Sequence, residues 1–524
     1  MPIEFYNRGL MRSPLNLATY FLDARLDEGA GDRVAIREAS TTHTYRQVAA
    51  ASARIAHLLE GEGIRPEERV IIALPDGAAF VESLFAVLRA GAVVVMVNPD
   101  SPVELITYFC EYTRATAAVI AETHASVFED ATRGLARPPR LIVTDDPRIQ
   151  GAGDGAASTY QPFPSHADDA AIWLFSGGTT GRPKAVVQTN RSFVNTTELY
   201  GQAVLGLTAD DITLSVPKLF FGYALGSNVF FPFSVGASCV LFAERSTPDA
   251  IFAAIIRHRP TVLINVPTMV QQMVSHPAAA TVDVSSLRLS TSAGEALPAE
   301  LYARWQETFH VELLDGLGTA EMWHIFISNR PGQVVPGTLG HVVPGFEVKL
   351  CDGDGQPVPD GEVGALWVKG DSRAIAYWQR MGDTAHAFRG EWYVSGDMLR
   401  KNADGTFVYC GRADDMLKVS GKWLAPGELE NCLLQHDRVR EVAVVGVRNA
   451  DGLVKPCAFV VSDAASPALA GELQAFAKSR LEPYKYPREV VFLESLPRTH
   501  LGKVDRHALS RSYGVKADQQ PPLL

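Results

Sequence analysis

Cysteine is scarce in this chain of 524 residues, and the few that occur form no cluster. No two of them make a C-x-x-C pair or join histidines at the spacing of a metal site. The six are Cys110, Cys239, Cys351, Cys410, Cys432 and Cys457. Their scatter argues against a zinc site and against a disulfide framework, and it predicts a protein of the reducing cytoplasm. Residues 1–6 include the acid Glu4 and no continuous apolar run, so no signal peptide is expected.

Positive charge is also in short supply. The chain has 48 Lys and Arg residues against 59 Asp and Glu residues, a formal net charge of −11. This balance argues against a nucleic acid as the partner. An anionic ligand would need local basic groups set against a repulsive overall field.

Charged side chains are missing altogether from residues 220–243. A run of this length could span a bilayer. However, residues such as Gly222, Gly226, Pro232 and Gly236 interrupt it. We therefore predict a buried helix, a turn and a strand here, and no membrane span.

Strand and helix patterns alternate through the first half of the chain. Strands are predicted at residues 69–74, 92–97, 117–120 and 141–143, with a helix at 81–90. In the second series, strands at 238–243, 262–266 and 287–292 alternate with helices at 249–257, 268–275 and 299–310. Such alternation predicts βαβ units and a parallel sheet.

The pattern changes in the second half. Residues 332–409 contain short strands between Gly, Pro and Asp turns, which predicts a small antiparallel β unit. A mixed α+β stretch follows, with helices predicted at 426–435 and 468–481. We therefore predict an α/β protein with two domains. Residues 1–413 would form a large N-terminal domain of stacked α/β subdomains plus the β unit, and residues 414–524 a small α+β domain. The oligomeric state stays open.

A glycine-rich loop follows the apolar strand predicted at residues 171–175. Residues 174–185 read LFSGGTTGRPKA and combine three glycines, three hydroxyl residues and two cations. The glycines let backbone N–H groups approach an anion, the hydroxyls add donors, and the cations balance charge. The order of residues does not fit the Walker A pattern. The loop therefore predicts a polyphosphate site, the alternative being a flexible Gly/Thr turn.

Five further segments complete a series of motifs. In chain order they are residues 292–295 (SAGE), 316–322 (GLGTAEM), 393–397 (YVSGD), 411–415 (GRADD) and 497–503 (PRTHLGK). Taken alone, most of them are better explained as a turn or a charged loop. Together with the glycine-rich loop, they resemble in content and order the motifs of adenylate-forming enzymes. That family comprises acyl-CoA ligases, firefly-type luciferases and the adenylation domains of peptide synthetases, and the resemblance covers nearly the whole chain.

The resemblance implies a site for ATP or AMP and a metal ion. Glu321 would ligate Mg²⁺ on ATP, and Asp397 would accept hydrogen bonds from the ribose hydroxyls. The residues implied to bind ATP or AMP are Ser176, Gly177, Gly178, Thr179, Thr180, Gly181, Lys184, Gly294, Glu295, Asp315, Gly316, Thr319, Asp397 and Arg412. The chain departs from the family at Ala320, where a threonine is expected. The hydroxyl that would contact the α-phosphate is therefore absent unless Thr319 supplies it.

The resemblance also implies that the small C-terminal domain is mobile. Lys503 would bridge the substrate carboxylate and the α-phosphate during adenylation. Gly421 would open the tunnel for the pantetheine arm of coenzyme A, and Asp414 would be the hinge. Lys503, Gly421 and Glu321 are thus the implied catalytic residues.

The nature of the acid is indicated by another absence. Between residues 212 and 243 there is no acidic residue, so the partner that an amino-acid ammonium requires is missing. Residues 218–223 and 322–326 are rich in aromatic side chains and resemble segments of benzoate–CoA ligases. The residues implied to line the aryl ring are Phe221, Gly222, Tyr223, Ala293, Gly318, His324 and Ile325. Gly222 stands where alanine is expected, which leaves room for a ring substituent. Core packing is the alternative for these aromatics and for His324.

We therefore expect an ATP-dependent aryl-CoA ligase that activates benzoate or a substituted benzoate, such as 2-aminobenzoate or a hydroxybenzoate. Its ligands would be the aryl carboxylate, ATP with Mg²⁺, and coenzyme A. Two alternatives stay open: a stand-alone adenylation enzyme that loads a carrier protein, and a nucleotide-binding module without turnover.

Overall fold

The computed structural model describes residues 14–145, 158–177, 182–419, 422–448, 454–498 and 504–512. The chain divides into two compact units. The first comprises Met1–Leu297, Leu301–Glu347 and Val368–Tyr393, and the second comprises Pro298–Glu300, Val348–Trp367 and Val394–Leu524. Asp414 lies inside the second unit. The boundary expected at residue 414 is thus distinct from this division, and it stays a prediction.

Strands occur along the whole described chain. In order they are β1 (Val34–Arg37), β2 (Thr42–Thr44), β3 (Arg69–Ala73), β4 (Val93–Met96), β5 (Ala117–Ile120), β6 (Arg140–Val143), β7 (Ala170–Ser176), β8 (Lys184–Thr189), β9 (Ile212–Ser215), β10 (Ser238–Val240), β11 (Val262–Asn265), β12 (Leu289–Ser292), β13 (Leu313–Gly318), β14 (Ile325–Ser328), β15 (His341–Val342), β16 (Glu347–Cys351), β17 (Val363–Lys369), β18 (Ala376–Tyr377), β19 (Phe388–Arg389), β20 (Trp392–Lys401), β21 (Phe407–Arg412), β22 (Leu417–Val419), β23 (Lys422–Leu424), β24 (Glu441–Arg448), β25 (Val454–Val461) and β26 (Glu489–Phe492).

Most of the α-helices lie in the connections between these strands. They span Ala24–Asp27, Tyr45–Gly61, Ala78–Arg89, Val103–Thr113, Ala125–Thr132, Asn190–Thr196, Gly222–Leu225, Phe231–Ser234, Pro248–His258, Pro267–Val274, Ala299–Phe309, Met381–Ala387, Pro426–Leu434, Pro467–Arg480 and Arg506–Ser512.

Two large mixed sheets form the first unit. One has the order β18-β8-β7-β4-β3-β5-β6, and the other has the order β15-β14-β13-β12-β11-β9-β10-β1-β2. Strands β7, β4, β3, β5 and β6 are mutually parallel, and β8 returns antiparallel to β7. In the second sheet β13, β12, β11, β9, β10 and β1 are parallel. The parallel sheet expected from the alternating pattern is confirmed, because helices connect the parallel strands.

Aromatic side chains hold the layers of the first unit together. Phe85, on the helix Ala78–Arg89, lies with its ring centre 6.2 Å from Phe230 and 5.8 Å from Phe233. These rings are fully buried. Burial of large apolar rings is the main stabilising contribution at such a junction, at roughly 25 cal/mol per Å² of apolar surface removed from water.

The uncharged segment predicted to be buried is confirmed as such. Residues 222–234 form one helical run, made of two short α-helices around the π-helical segment Gly226–Phe230. A turn and the strand β10 follow, and most of this segment is buried. Among the described residues, no helix combines the length and the apolar character that crossing a membrane requires.

The second unit contains an α+β core. Strand β25 pairs antiparallel with β24 and parallel with β26. The helices Pro426–Leu434 and Pro467–Arg480 pack against these strands through buried leucines, including Leu429, Leu433, Leu469 and Leu473. The α+β character predicted for the C-terminal part is therefore confirmed.

The six cysteines are free thiols, and five of them are buried. Burial raises the pKa of every one of these thiols above the ordinary value. Even the half-buried Cys410 has a pKa of about 11. All six are consequently protonated at neutral pH.

Candidate active site

The ends of the glycine-rich loop are fixed by a β-hairpin. Ser176 and Lys184 are paired at the end of the antiparallel strands β7 and β8. Gly177 follows Ser176 and is exposed. Tyr108 anchors the far side, because its hydroxyl donates to the Pro183 carbonyl oxygen at 2.8 Å and its ring lies 5.0 Å from the Arg182 guanidinium. The four middle residues of the loop lie outside the described residues: Gly178, Thr179, Thr180 and Gly181.

One tyrosine connects the lysine of this loop to the candidate metal ligand. The Lys184 Nζ lies 4.8 Å from the centre of the Tyr377 ring and 3.6 Å from Asp383 Oδ2. Tyr377 in turn donates its hydroxyl to Glu321 Oε1 at 2.8 Å. Burial and the neighbouring Glu321 carboxylate raise the pKa of Tyr377, so it acts here as a neutral donor. Glu321 itself is only 6% exposed.

Sequence reasoning missed Tyr377. It lies 56 residues from Glu321 in the sequence, and no motif of the expected series includes it. The contact arises because β18 pairs with β8, which places Tyr377 beside the strand that begins with Lys184. Only the pairing of strands distant in sequence reveals such a link.

The segment before Glu321 is fixed by its backbone. The Ala320 carbonyl oxygen accepts from Gln188 Nε2 at 2.6 Å, and the Glu321 carbonyl oxygen accepts from the Ala374 amide at 2.7 Å. The Thr319 hydroxyl oxygen accepts from the Met322 amide at 3.2 Å and so caps the short helix Ala320–Met322. A hydroxyl that accepts in this way can still donate its hydrogen. Thr319 is therefore able to supply the donor that Ala320 lacks.

Four further candidates of the first unit lie just after β12 or within β13. Gly294 follows β12 with φ +91°, a conformation that favours glycine. The Glu295 carboxylate accepts from the Thr268 hydroxyl at 2.8 Å and so ties this turn to the helix Pro267–Val274. Burial raises the pKa of Asp315 on β13, and its Oδ1 has no hydrogen-bond partner in the described part of the chain. A β-carbon at Gly316 would approach the Ile327 carbonyl oxygen to 3.0 Å.

Four of the seven residues predicted to line the aryl ring come together around His324. The Tyr223 ring centre lies 5.4 Å from that of His324, and the Tyr223 hydroxyl is 2.6 Å from Thr291 Oγ1. Gly318 pairs with Ile325, and a β-carbon on Gly318 would lie 2.5 Å from the His324 carbonyl oxygen.

The other three predicted aryl residues lie nearby in sequence, but the structure records different neighbours for them. A β-carbon on Gly222 would meet Leu174 Cδ1 at 3.0 Å and Trp323 Cζ3 at 3.4 Å. Phe221 packs on Phe220, and Ala293 is buried directly after β12.

His324 is a neutral imidazole with a defined tautomer. It is 3% exposed, and burial lowers its pKa to about 3. Its Nε2 lies 3.0 Å from the Tyr223 carbonyl oxygen, which can only accept, so Nε2 carries the hydrogen. Nε2 also lies 3.1 Å from the Ser227 hydroxyl. Nδ1 is consequently a bare acceptor, and it has no partner among the described residues.

The buried imidazole predicts a pH dependence of stability. An unfolded histidine has a pKa near 6.5, whereas buried His324 stays neutral down to about pH 3, so the unfolded state alone takes up the proton. The stabilisation is complete above pH 6.5 and is lost as the pH falls. From pH 7 to pH 5 the loss is about 2 kcal/mol. Glutamine does not titrate, so His324→Gln should not lose this stabilisation. Between pH 7 and pH 5, the free energy of unfolding of wild type should therefore fall by this amount relative to that of His324→Gln. A constant difference in denaturant titrations at pH 7 and pH 5 would contradict the buried neutral imidazole.

In the second unit, two of the ATP/AMP candidates face each other. Asp397 on β20 pairs with Arg412 on β21, and Arg412 Nη1 lies 3.2 Å from Asp397 Oδ1. Asp397 is 5% exposed and also receives hydrogen bonds from Tyr409 at 3.3 Å and from the Ser395 hydroxyl. Asp414 lies two residues beyond Arg412, in the short helix Ala413–Asp415. Gly421 and Lys503 lie outside the described residues.

Comparison with known proteins gives matches over most of the chain. A family model described as AMP-binding enzyme matches residues 23–378, and one described as AMP-binding enzyme C-terminal domain matches residues 428–503. A benzoate–CoA ligase of Thauera aromatica is 37% identical over 507 residues, which cover 94% of this chain and 95% of the relative.

Two solved structures are similar over a comparable span. The anthranilate CoA ligase AuaEII in complex with anthranoyl-AMP has a TM-score of 0.91 at 33% identity, covering 97% of this chain and 98% of its own. A benzoate CoA ligase from Burkholderia xenovorans LB400 has a TM-score of 0.87 at 40% identity, covering 94% and 99% respectively.

Proposed function

The chain belongs to the AMP-binding enzyme family, and from this premise we propose that it is an ATP-dependent aryl-CoA ligase. The observation that carries the proposal is the uncharged cluster of Tyr223 and neutral His324, within the same unit as the Lys184–Tyr377–Glu321 chain. An aryl ring suits the first group of residues, and a polyphosphate with its metal ion suits the second. The similarity to benzoate and anthranilate ligases supports this class of acid.

The reaction has two steps. In the first, a carboxylate oxygen of the aryl acid attacks the α-phosphorus of ATP, and pyrophosphate leaves with the electrons of the broken P–O bond. In the second, the thiolate sulfur of coenzyme A attacks the acyl carbon of the aryl adenylate. AMP then leaves, and the aryl thioester remains.

Glu321 fits the role of a carboxylate that holds the Mg²⁺ of Mg·ATP. Its Oε1 is occupied by the Tyr377 hydroxyl, which leaves Oε2 for the ion. No group of three or more His, Cys, Asp or Glu side chains able to hold a metal ion occurs in the described ranges. Mg²⁺ needs none here, because it commonly binds through one carboxylate, water and the phosphates of its nucleotide.

The remaining roles follow the same mechanism. Asp397, supported by Tyr409 and Arg412, would accept the ribose hydroxyls, and Lys184 would balance phosphate charge. Lys503 would act in adenylation, and Gly421 would act in thioester formation after rotation at Asp414. Free thiols throughout the chain favour the cytoplasm as the site of the reaction.

Two assays test the function. We expect ATP–pyrophosphate exchange with benzoate, 2-aminobenzoate and the hydroxybenzoates, and release of the corresponding CoA thioesters when free coenzyme A is added. Hexanoate, an aliphatic acid of similar size, serves as the control and should react poorly. Equal rates with hexanoate would contradict the aryl assignment. Exchange without free thioester would instead favour a carrier protein as the acceptor.

Gly222→Ala is expected to impair binding of a ring-substituted benzoate more than binding of benzoate itself. Its new methyl group would press on Leu174 and Trp323, and a methyl in a tight pocket is worth about 1–3 kcal/mol of discrimination. The ratio of kcat/KM for 2-aminobenzoate to that for benzoate should therefore fall by roughly 10-fold or more. Gly61→Ala, at a helix end with open space around it, is the control. An unchanged ratio would show that Gly222 does not set the room at the ring edge.

A further inference from the structure

Asp76 makes a hydrogen bond that joins the two large sheets of the first unit. It lies just beyond β3 of the seven-stranded sheet, and its Oδ1 accepts from the Leu219 amide at 2.9 Å. Leu219 follows β9 of the nine-stranded sheet, 143 residues away in the sequence. Asp76 is 7% exposed and Leu219 is fully buried. The Leu219 amide is thus shielded from bulk water, and a buried amide without an acceptor is costly.

Leu219 belongs to the turn that directly precedes Gly222 and Tyr223, two of the residues predicted to line the aryl ring. The turn spans residues 218–221 and is closed by a hydrogen bond from the Phe221 amide to the Lys218 carbonyl oxygen at 2.9 Å. The helix Gly222–Leu225 begins at its next residue. Gly222 and Tyr223 thus directly follow a turn whose position the Asp76 carboxylate fixes.

Lys218, the charged neighbour of Asp76 in the turn, is occupied elsewhere. Its Nζ donates to the Phe242 carbonyl oxygen at 2.7 Å and lies 3.6 Å from the centre of the Phe242 ring. Asp76 also lines a cavity of about 630 Å³ together with Glu38, His43, Arg54 and Glu82. Among the residues that the structure describes, none forms a close ion pair with Asp76, and its hydrogen bond to the turn is the one from the Leu219 amide.

We propose that Asp76 is a positioning residue for recognition of the aryl acid. Its carboxylate holds residues 218–221 so that Gly222 and Tyr223 meet the ring in one geometry. This inference rests on the proposed aryl-CoA ligase function. It assigns no contact with substrate to Asp76, which acts through the Leu219 amide.

The test compares Asp76→Ala and Asp76→Asn in the full-length enzyme. Asp76→Ala removes the acceptor, and a misplacement of about 1 Å near a reacting group can cost up to 10²-fold. We expect its KM for 2-aminobenzoate to rise roughly 10-fold or more, with the KM for ATP within about 2-fold of wild type. Asp76→Asn keeps a side-chain oxygen at this position and should restore most of the affinity. A role in folding alone would lower the amount of active enzyme without separating the two KM values.

Two more variants complete the design. Asp76→Ser keeps a polar group in the cavity but withdraws its oxygen from Leu219. It should show the same rise in the KM for 2-aminobenzoate, and it supplies the test if Asp76→Ala does not fold. Glu38→Gln changes a carboxylate of the same cavity that contacts the Ala78 amide rather than the turn, so its KM values should match wild type.

The outcomes separate the inference from the function on which it rests. Unchanged aryl-acid KM values in Asp76→Ala or Asp76→Ser, or a parallel rise in the KM for ATP, would overturn the positioning role. A wild-type enzyme that turns over no benzoate would instead overturn the proposed function.

Discussion

Replacing Lys503 by alanine is expected to slow aryl-adenylate formation by roughly 10²–10³-fold, the scale for loss of one preorganised charge-stabilising group. Lys503 closes the motif at residues 497–503, which resembles the C-terminal lysine segment of adenylate-forming enzymes. Negative charge builds between the carboxylate and the α-phosphate only in the first step. Thioester formation from supplied aryl adenylate should therefore keep its wild-type rate.

The measurement is a pair of single-turnover assays, one for each step. Lys478→Ala is the matched control, because it removes another lysine of the second unit, exposed on the helix Pro467–Arg480. Its rates should equal those of wild type in both assays. Equal losses in both steps for Lys503→Ala would show that Lys503 does not act in adenylation alone.

Glu321→Gln is expected to lower the rate of adenylation by a similar factor of roughly 10²–10³, because it removes the charge proposed to hold Mg²⁺ against the phosphates. Tyr377→Phe should lose less, about 10–100-fold, as is usual for a residue that orients a metal ligand. The two losses should not add in the double variant, since Tyr377 acts through Glu321. Both single variants should need more Mg²⁺ for half-maximal rate.

A second tyrosine–glutamate pair, half-buried, provides the control. The Tyr20 hydroxyl donates to Glu198 Oε1 at 2.5 Å, and neither residue is a candidate for nucleotide binding. Glu198→Gln should leave the Mg²⁺ requirement of adenylation unchanged. If Glu321→Gln also leaves that requirement unchanged, Glu321 is not the metal ligand.

Much of the fold could be predicted from local sequence patterns. The apolar run at residues 69–74 became β3, and the helices expected at 249–257 and 299–310 were found within one residue at each end. Such elements depend on the spacing of apolar residues along a short stretch. The motif series likewise identified candidates such as Glu321 and Asp397 because each motif is contiguous in the sequence.

What the sequence could not reveal depends on contacts between distant segments. Tyr377 reaches Glu321, and Asp76 reaches Leu219, only because strands far apart in the sequence enter the same unit. Neither residue belongs to a motif. The tautomer of His324 is a similar case, because it depends on the carbonyl oxygen of Tyr223 and on burial. The hinge at Asp414 and the roles of Lys503 and Gly421 stay predictions.

The protonated, largely buried thiols have a practical consequence for observing the proposed rotation at Asp414. Maleimides and CoA disulfides react with thiolates, so the six native cysteines offer them poor targets at neutral pH. The native cysteines should therefore take up little label, which makes the wild-type chain suitable for site-directed labelling at introduced cysteines. Met381→Cys in the first unit, at a position 87% exposed, and Lys478→Cys in the second would carry a fluorophore pair without removal of any native residue of the core. Energy transfer between the two dyes would then report each step of the catalytic cycle as it occurs.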